Sequence, residues 1–310
     1  MTDSVSETQS RILHLEPPMV DPRRREETAQ GMAGLRTILV GLDGSPEGRM
    51  AVQLSLRWAR ATGARLVGLG IVDEPSIRRA EPVPLGAGSF KRERDERLVE
   101  DARRRVEEFL DDFARRCAAQ GVACSVIEKV GVPYEQIALE EEHHDLVVLP
   151  RRSHFHFETE RGPDDTVERV LRHGARPIIT VPQQPGKSGP VIIAYHGGVH
   201  AARALQAFQS TGLESDAQIL VVSVHKEERE ARERAERAVS FLASHGIPAR
   251  PAIVVDDEPA APAILRVVAA VDARLIVAGA GDHHRIAELF SPSVTRTLLR
   301  EAQVPLFLYR

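Results

Sequence analysis

The chain has 310 residues, enough for about two domains of ordinary size, and 42 % of them are hydrophobic, which excludes a disordered chain. Its formal net charge is only -4, with Arg and Lys interleaved among Asp and Glu, and this excludes nucleic-acid or membrane binding driven by charge. Cys117 and Cys124 are the only cysteines and read as small buried hydrophobes, so a disulfide-stapled secreted scaffold is not indicated. No stretch approaches the ~20 apolar residues of a membrane span, and the N-terminus lacks a basic start followed by an apolar run. The expectation is a cytoplasmic protein.

In chain order, residues 1–35 mix Ser, Glu, Arg and Pro without periodicity and read as a mobile tail. Thr37–Pro46, TILVGLDGSP, then sets the pattern: an apolar strand covered on both faces, a turn permitted by Gly44, a cap at Ser45 and a helix start at Pro46. A helix over 46–62 follows, with Ala51, Leu54, Trp58 and Ala61 on one face. Next come a strand over 66–72, a Pro- and Gly-rich loop over 73–90 and a long helix over 91–120, with Leu98, Ala102, Val106, Phe109, Phe113 and Cys117 in its apolar stripe. The spacing then predicts a strand at 122–130, a helix at 133–142, a strand at 145–149, a helix at 166–173 and a strand at 177–181.

Residues 183–189, QQPGKSG, are turn formers and read as a linker between a first unit, 36–182, and a second, 190–310. The second unit repeats the order from PVIIAYHGG onward, with strands near 191–195, 218–224, 250–255, 274–278 and 305–309. Its helices fall near 199–210, 226–244, 259–271 and 292–301. Alternating strands and helices with short connections predict an α/β fold, with parallel sheets and helices on both faces. Ligands of such sheets sit beyond the carboxyl ends of the strands, where strand order reverses.

The motifs ILVGLDGSP, GLGIVDE, GVPYEQI, DLVVLP and VERVLRHGARPIITVP, and in the second unit VIIAYHGG, LIVAG and SVTRTLLREAQVPLFL, make the chain resemble a tandem universal stress protein over residues 36–310. The resemblance implies two Rossmann-like units, each a five-stranded parallel sheet in the order 3-2-1-4-5. It also implies that the units pair as a pseudo-dimer near their last strands, 177–181 and 305–309, with further homodimerisation open.

Some members of this family bind ATP, through an acid after the first strand and a loop G-x2-G-x9-G-[ST] after the fourth. Loop glycines let backbone N–H groups approach phosphates, and the following helix N-terminus attracts their charge. Carried over by position, the resemblance gives Asp43, Val72 and Ser153 as candidate ligand contacts in the first unit. In the second it gives His196, Val224, Gly279, Gly281, Asp282 and Ser293. The first loop has Pro150 and Ser153 at the glycine positions and Asp164-Asp165 near the final pair, and Asp165 with Glu168 reads as a capping box. Arg151, Arg152 and Arg161 are available either to a phosphate or to those aspartates. The second loop keeps Gly279 and Ser293 at the proper spacing, but places Asp282 and Pro292 at glycine positions, and the acid becomes His196. Both loops therefore read as degenerate, and ATP is the possible cofactor that the resemblance leaves open.

No nucleophile elbow, Walker loop or dinucleotide turn is present, so no catalytic residue is assigned and the chain is not expected to be an enzyme. The acidic trio Asp256, Asp257 and Glu258 reads as a helix cap. His143, His144, His154, His156, His283 and His284 flank the fourth strands, and they read as exposed loop histidines, with no metal ligand assigned. The leading reading is a stress-response protein acting by ligand or protein binding. The alternatives are an ATP/AMP-dependent switch or slow ATPase, and a metal-responsive regulator using those histidines.

Overall fold

A computed structural model describes residues 34–82, 84, 87–156, 164–184, 188–214, 216–257, 259–281 and 293–310. The first unit consists of β1 (Thr37–Leu42), α1 (Pro46–Thr62), β2 (Arg65–Val72), a short α2 (Glu74–Ile77), α3 (Gly88–Ala119), β3 (Cys124–Val130), α4 (Pro133–Glu141), β4 (Leu146–Pro150), α5 (Thr166–His173) and β5 (Ile178–Val181). The second consists of β6 (Val191–Ala194), α6 (Val199–Thr211), β7 (Ile219–His225), α7 (Glu228–Ser244), β8 (Ala249–Val255), α8 (Ala260–Ala270), β9 (Leu275–Gly279), α9 (Ser293–Glu301) and β10 (Leu306–Tyr309).

The opening strand and turn form for local reasons. Ile38, Leu39 and Val40 are fully buried, because helices cover both faces of the sheet. Gly44 takes a φ of 71°, and Ser45 accepts the Gly48 N–H at 2.9 Å, so the first turn of α1 starts with a donor already satisfied. Gly63, at φ 75°, closes that helix with its N–H on the Ala59 carbonyl.

The two halves share one ten-stranded sheet in the order β3-β2-β1-β4-β5-β10-β9-β6-β7-β8. Each half runs 3-2-1-4-5 in its own numbering. All pairings are parallel except the central one, where β5 and β10 run antiparallel with Thr180 opposite Leu306 and Ile178 opposite Leu308. Helices α1, α3, α6 and α7 pack on one face, and α4, α5, α8 and α9 on the other. The units therefore meet edge to edge at their last strands, and each strand edge buried there is satisfied by its partner.

Side chains reinforce this seam. Within the second unit, Phe208 of α6 backs the seam strand β10 by meeting Phe307 edge to face at 5.6 Å. Glu214 of the second unit accepts from the Trp58 indole at 2.8 Å and from Arg57, both on α1, while its other oxygen accepts from Arg274 at 3.0 Å. Arg274 also donates to the Ser188 and Gly189 carbonyls, which fixes the end of the linker.

Some expectations change. Leu35 is buried in the core rather than part of a tail, and residues 1–33 lie outside the described residues. The segment 73–90 is not all loop: it contains α2, and α3 already begins at Gly88. Asp165 makes no capping bond, because its backbone (φ -91°, ψ 11°) is not extended as capping requires. Asp164 accepts the Thr166 N–H at 2.8 Å instead, and Asp165 pairs with Arg169. The acidic trio does not cap α8 either: the cap position is Pro259, Asp256 pairs with Arg266, and Glu258 lies outside the described residues.

Candidate functional site

In the first unit the strand ends carry a loop that runs on from β4, and three of its backbone donors face carboxylates of the chain itself. Arg152 N–H donates to Glu47 at 2.5 Å, His154 N–H to Asp43 at 2.9 Å, and Phe155 N–H to Asp164 at 3.3 Å. Such amides are what a phosphate would need; here they already meet anionic oxygens. Asp43, the candidate acid, is buried and turns inward. Its other oxygen accepts from Ser45 N–H at 3.0 Å and Ser45 Oγ–H at 2.7 Å. Burial raises its pKa, against the lowering effect of these bonds.

Phe155 closes the same place from above. Its ring is fully buried, and a Cβ added to Gly41 at the end of β1 would lie 2.9 Å from the ring and 2.6 Å from Leu149 Cδ2. The phenyl ring thus occupies the groove over the β1 and β4 ends. Ser153 is buried beside it, its hydroxyl without a hydrogen-bond partner among the described residues, and Val72 is wholly buried at the end of β2.

Two loop histidines are not exposed as expected. His144 is buried, and burial lowers its pKa. His156 sits between Asp164, at 3.3 Å, and Asp73 just after β2. Hydrogen bonds to Asp164 and then Asp73 push its pKa up to about 10, so it is a cation at neutral pH. On Asp164 the opposing burial is outweighed by the bonds from His156 and Thr166, and its pKa falls. This Asp–His–Asp bridge ties the loop to the end of β2. Among the described residues no cluster of three or more His, Cys, Asp or Glu fits a metal ion.

The arginines also differ from expectation. Arg151 faces neither a phosphate position nor the two aspartates: it crosses the seam and donates to the Ala302 and Val304 carbonyls. Its burial lowers its pKa to about 10. Arg161 lies outside the described residues.

The second unit is arranged differently. A cleft opens over the ends of β6, β7 and β9, at the point where strand order reverses. Ala194, Val222, Val224 and Ala278 form its floor, and His196, His200, Gly279, Gly281 and Thr295 line its sides. Four of the candidate residues, His196, Val224, Gly279 and Gly281, therefore share one cavity. Gly279 must be glycine, because a Cβ there would lie 2.5 Å from the His200 backbone carbon and 2.6 Å from Ala201 N. Gly281 lies directly under the His200 ring, and Thr295 Oγ1 reaches the Gly279 carbonyl at 3.4 Å. Gly197, at φ 84°, lets the turn after β6 pass beside α7, where Arg237 and Arg234 stand. Asp282 and the histidines at 283 and 284 lie outside the described residues, as does the Ser293 side chain.

The two sites thus differ in make-up: Asp43, Glu47 and Asp164 converge on the loop of the first unit, with the His156 cation beside Asp164, while His196 and His200 line the second cleft and Arg234 and Arg237 stand beside the adjacent Gly197 turn. Sequence reasoning missed Glu47, Asp73, Phe155, His200 and the arginines of α7. Of these only Phe155 had a local signal, an aromatic in a polar stretch that also carries Phe157.

Comparison with known proteins agrees with this architecture. The model of the universal stress protein family matches twice, over residues 34–182 and 189–310. Universal stress protein Slr1230 of Synechocystis is 24 % identical over 168 residues, covering 54 % of this chain; the match spans 58 % of that relative's length. A universal stress protein structure from Archaeoglobus fulgidus superposes with a TM-score of 0.65 at 18 % identity, over 88 % of this chain and 98 % of that one. A functionally unknown protein from Pseudomonas aeruginosa PAO1 does so with a TM-score of 0.52 at 17 % identity, over 91 % and 94 %. At these identities the superpositions speak for the fold alone. Two consecutive family matches cover most of the sequence, and the chain belongs to the universal stress protein family as a tandem member with two units.

Proposed function

We propose that this chain is a non-catalytic, cytoplasmic binding protein of the stress response, with its first unit a closed scaffold and its second unit the ligand-binding half. The observation that carries this reading is the occupation of three loop amides of the first unit by Glu47, Asp43 and Asp164. A phosphate entering there would have to displace three carboxylates and would meet their repulsion. The second cleft has an apolar floor suited to a flat, small ligand, with His196, His200 and Thr295 at its sides to offer hydrogen bonds, and Arg237 stands beside the adjacent Gly197 turn.

The test is mass spectrometry of small molecules released from the undialysed full chain, together with calorimetric titration by ATP and AMP. The expected result is at most one equivalent of ligand, lost when Val224→Trp fills the second cleft and kept when Asp43→Asn alters the first unit. Two equivalents, or one equivalent lost with Asp43→Asn alone, would overturn the reading. Phosphate release from ATP would replace it with the slow-ATPase alternative.

A further inference from the structure

The only two cysteines of the chain share one core cluster although they belong to different elements. Cys117 lies in the last turn of α3, fully buried and one turn beyond Phe113 on the same apolar stripe. Cys124 opens β3 and is half-buried against the same core cluster. The reversal between them is tight. Gln120 and Val122 N–H both donate to the Cys117 carbonyl, at 3.1 and 3.0 Å, and Gly121, at φ 66°, allows the chain to fold back. The turn thereby sets the start of β3 beside the end of α3, so that Cys124 packs against the core cluster that holds Cys117, and the neighbouring Cys124 thiol adds to burial in raising the Cys117 pKa.

We propose that Cys117 and Cys124 form an intramolecular disulfide under peroxide-class oxidants, which makes the pair a redox-sensitive staple between α3 and the outermost strand of the first unit. The order of events follows from exposure. Cys117 is fully buried, and burial pushes its thiol up to about 12, whereas Cys124 is nearer solvent and is the sulfur an oxidant reaches first. The Cys124 thiolate attacks a peroxide oxygen and the O–O bond breaks, giving Cys124 sulfenic acid and hydroxide. The Cys117 sulfur then attacks the sulfenic sulfur, forming the S–S bond, and its proton leaves with the departing oxygen as water. In sum, two thiols and one hydrogen peroxide give one disulfide and two waters.

The staple bears on the sheet edge. β3 pairs only with β2 among the described strands, so its outer side depends on its own chain for order. The stripe of α3 that carries Cys117 also carries Phe109, whose ring fills the space over Gly44, and Phe113, which does so over Gly68. Pinning the end of α3 fixes the helix that covers the first β-turn.

The experiment treats the full chain with hydrogen peroxide and then alkylates it in denaturant. The expected result is a monomer lighter by two hydrogen atoms, neither cysteine alkylated, and the peptides containing Cys117 and Cys124 joined until a reductant is added. Cys124→Ser and Cys117→Ala are both expected to abolish the joined peptide while leaving the family fold intact by circular dichroism. Cys124 found as sulfinic acid with Cys117 free, a Cys124-linked dimer, or two unreacted thiols would each overturn the proposal.

Discussion

Replacing Glu214 by Ala is expected to destabilise the chain by about 3–5 kcal/mol, the range for breaking a buried ion pair from one side. Glu214 is 8 % exposed and accepts from three donors on two separate segments, Trp58 Nε1–H and Arg57 of α1 and Arg274 of the second unit. Its loss leaves the indole N–H without an acceptor next to a ring that is 2 % exposed, and leaves the Arg274 guanidinium without its closest charge partner. Because Trp58 belongs to α1 and Glu214 to the second unit, the damage falls on the seam. Denaturant unfolding should show an earlier midpoint for Glu214→Ala, with Glu214→Gln in between, since an amide keeps one acceptor but not the charge. A change below about 1 kcal/mol, the range of exposed pairs, would show that the network is ornamental.

Phe155→Ala is expected to cost about 3–5 kcal/mol, the usual range for emptying a fully buried phenyl site. The ring lies in the core cluster with Leu39, Leu149 and Ile178 and caps Gly41. Few loop residues are so completely buried, and the cavity it leaves would lie directly over the strand ends of the first unit. Phe155→Leu, which keeps most of the volume, should cost less than about 1.5 kcal/mol. Unfolding of both variants checks this; equal, small losses would mean that the loop does not depend on the ring for its position.

Much of the fold was legible because its signals are local. A wholly apolar run, then Gly44, Ser45 and Pro46, specifies a buried strand, a left-handed turn and a capped helix within ten residues, and Ser45 does cap as its type suggests. The seam was different: nothing in residues 178–181 or 306–309 by themselves states that they pair antiparallel, and only the family resemblance implied their meeting. The closed site was legible only in part. The absence of the loop glycines was visible, but the carboxylates that meet the loop come from far away in sequence: Glu47 meets Arg152, Asp43 meets His154, and Asp73 meets His156. Spacing rules also misled where backbone geometry decides. Asp165 and Glu168 satisfy a capping pattern, yet the dihedrals at Asp165 turn its carboxylate toward Arg169, and Asp164 takes the amide.

The same loop offers the most direct check on the central claim, that the first unit has replaced its ligand with its own carboxylates. The measurement is residue-resolved hydrogen exchange at Arg152, His154 and Phe155 in the ligand-free full chain, repeated with ATP. The account predicts that all three amides are protected without ligand and unchanged by nucleotide, because Glu47, Asp43 and Asp164 already accept from them. Amides that exchange freely in the ligand-free chain and become protected only when ATP is added would contradict it.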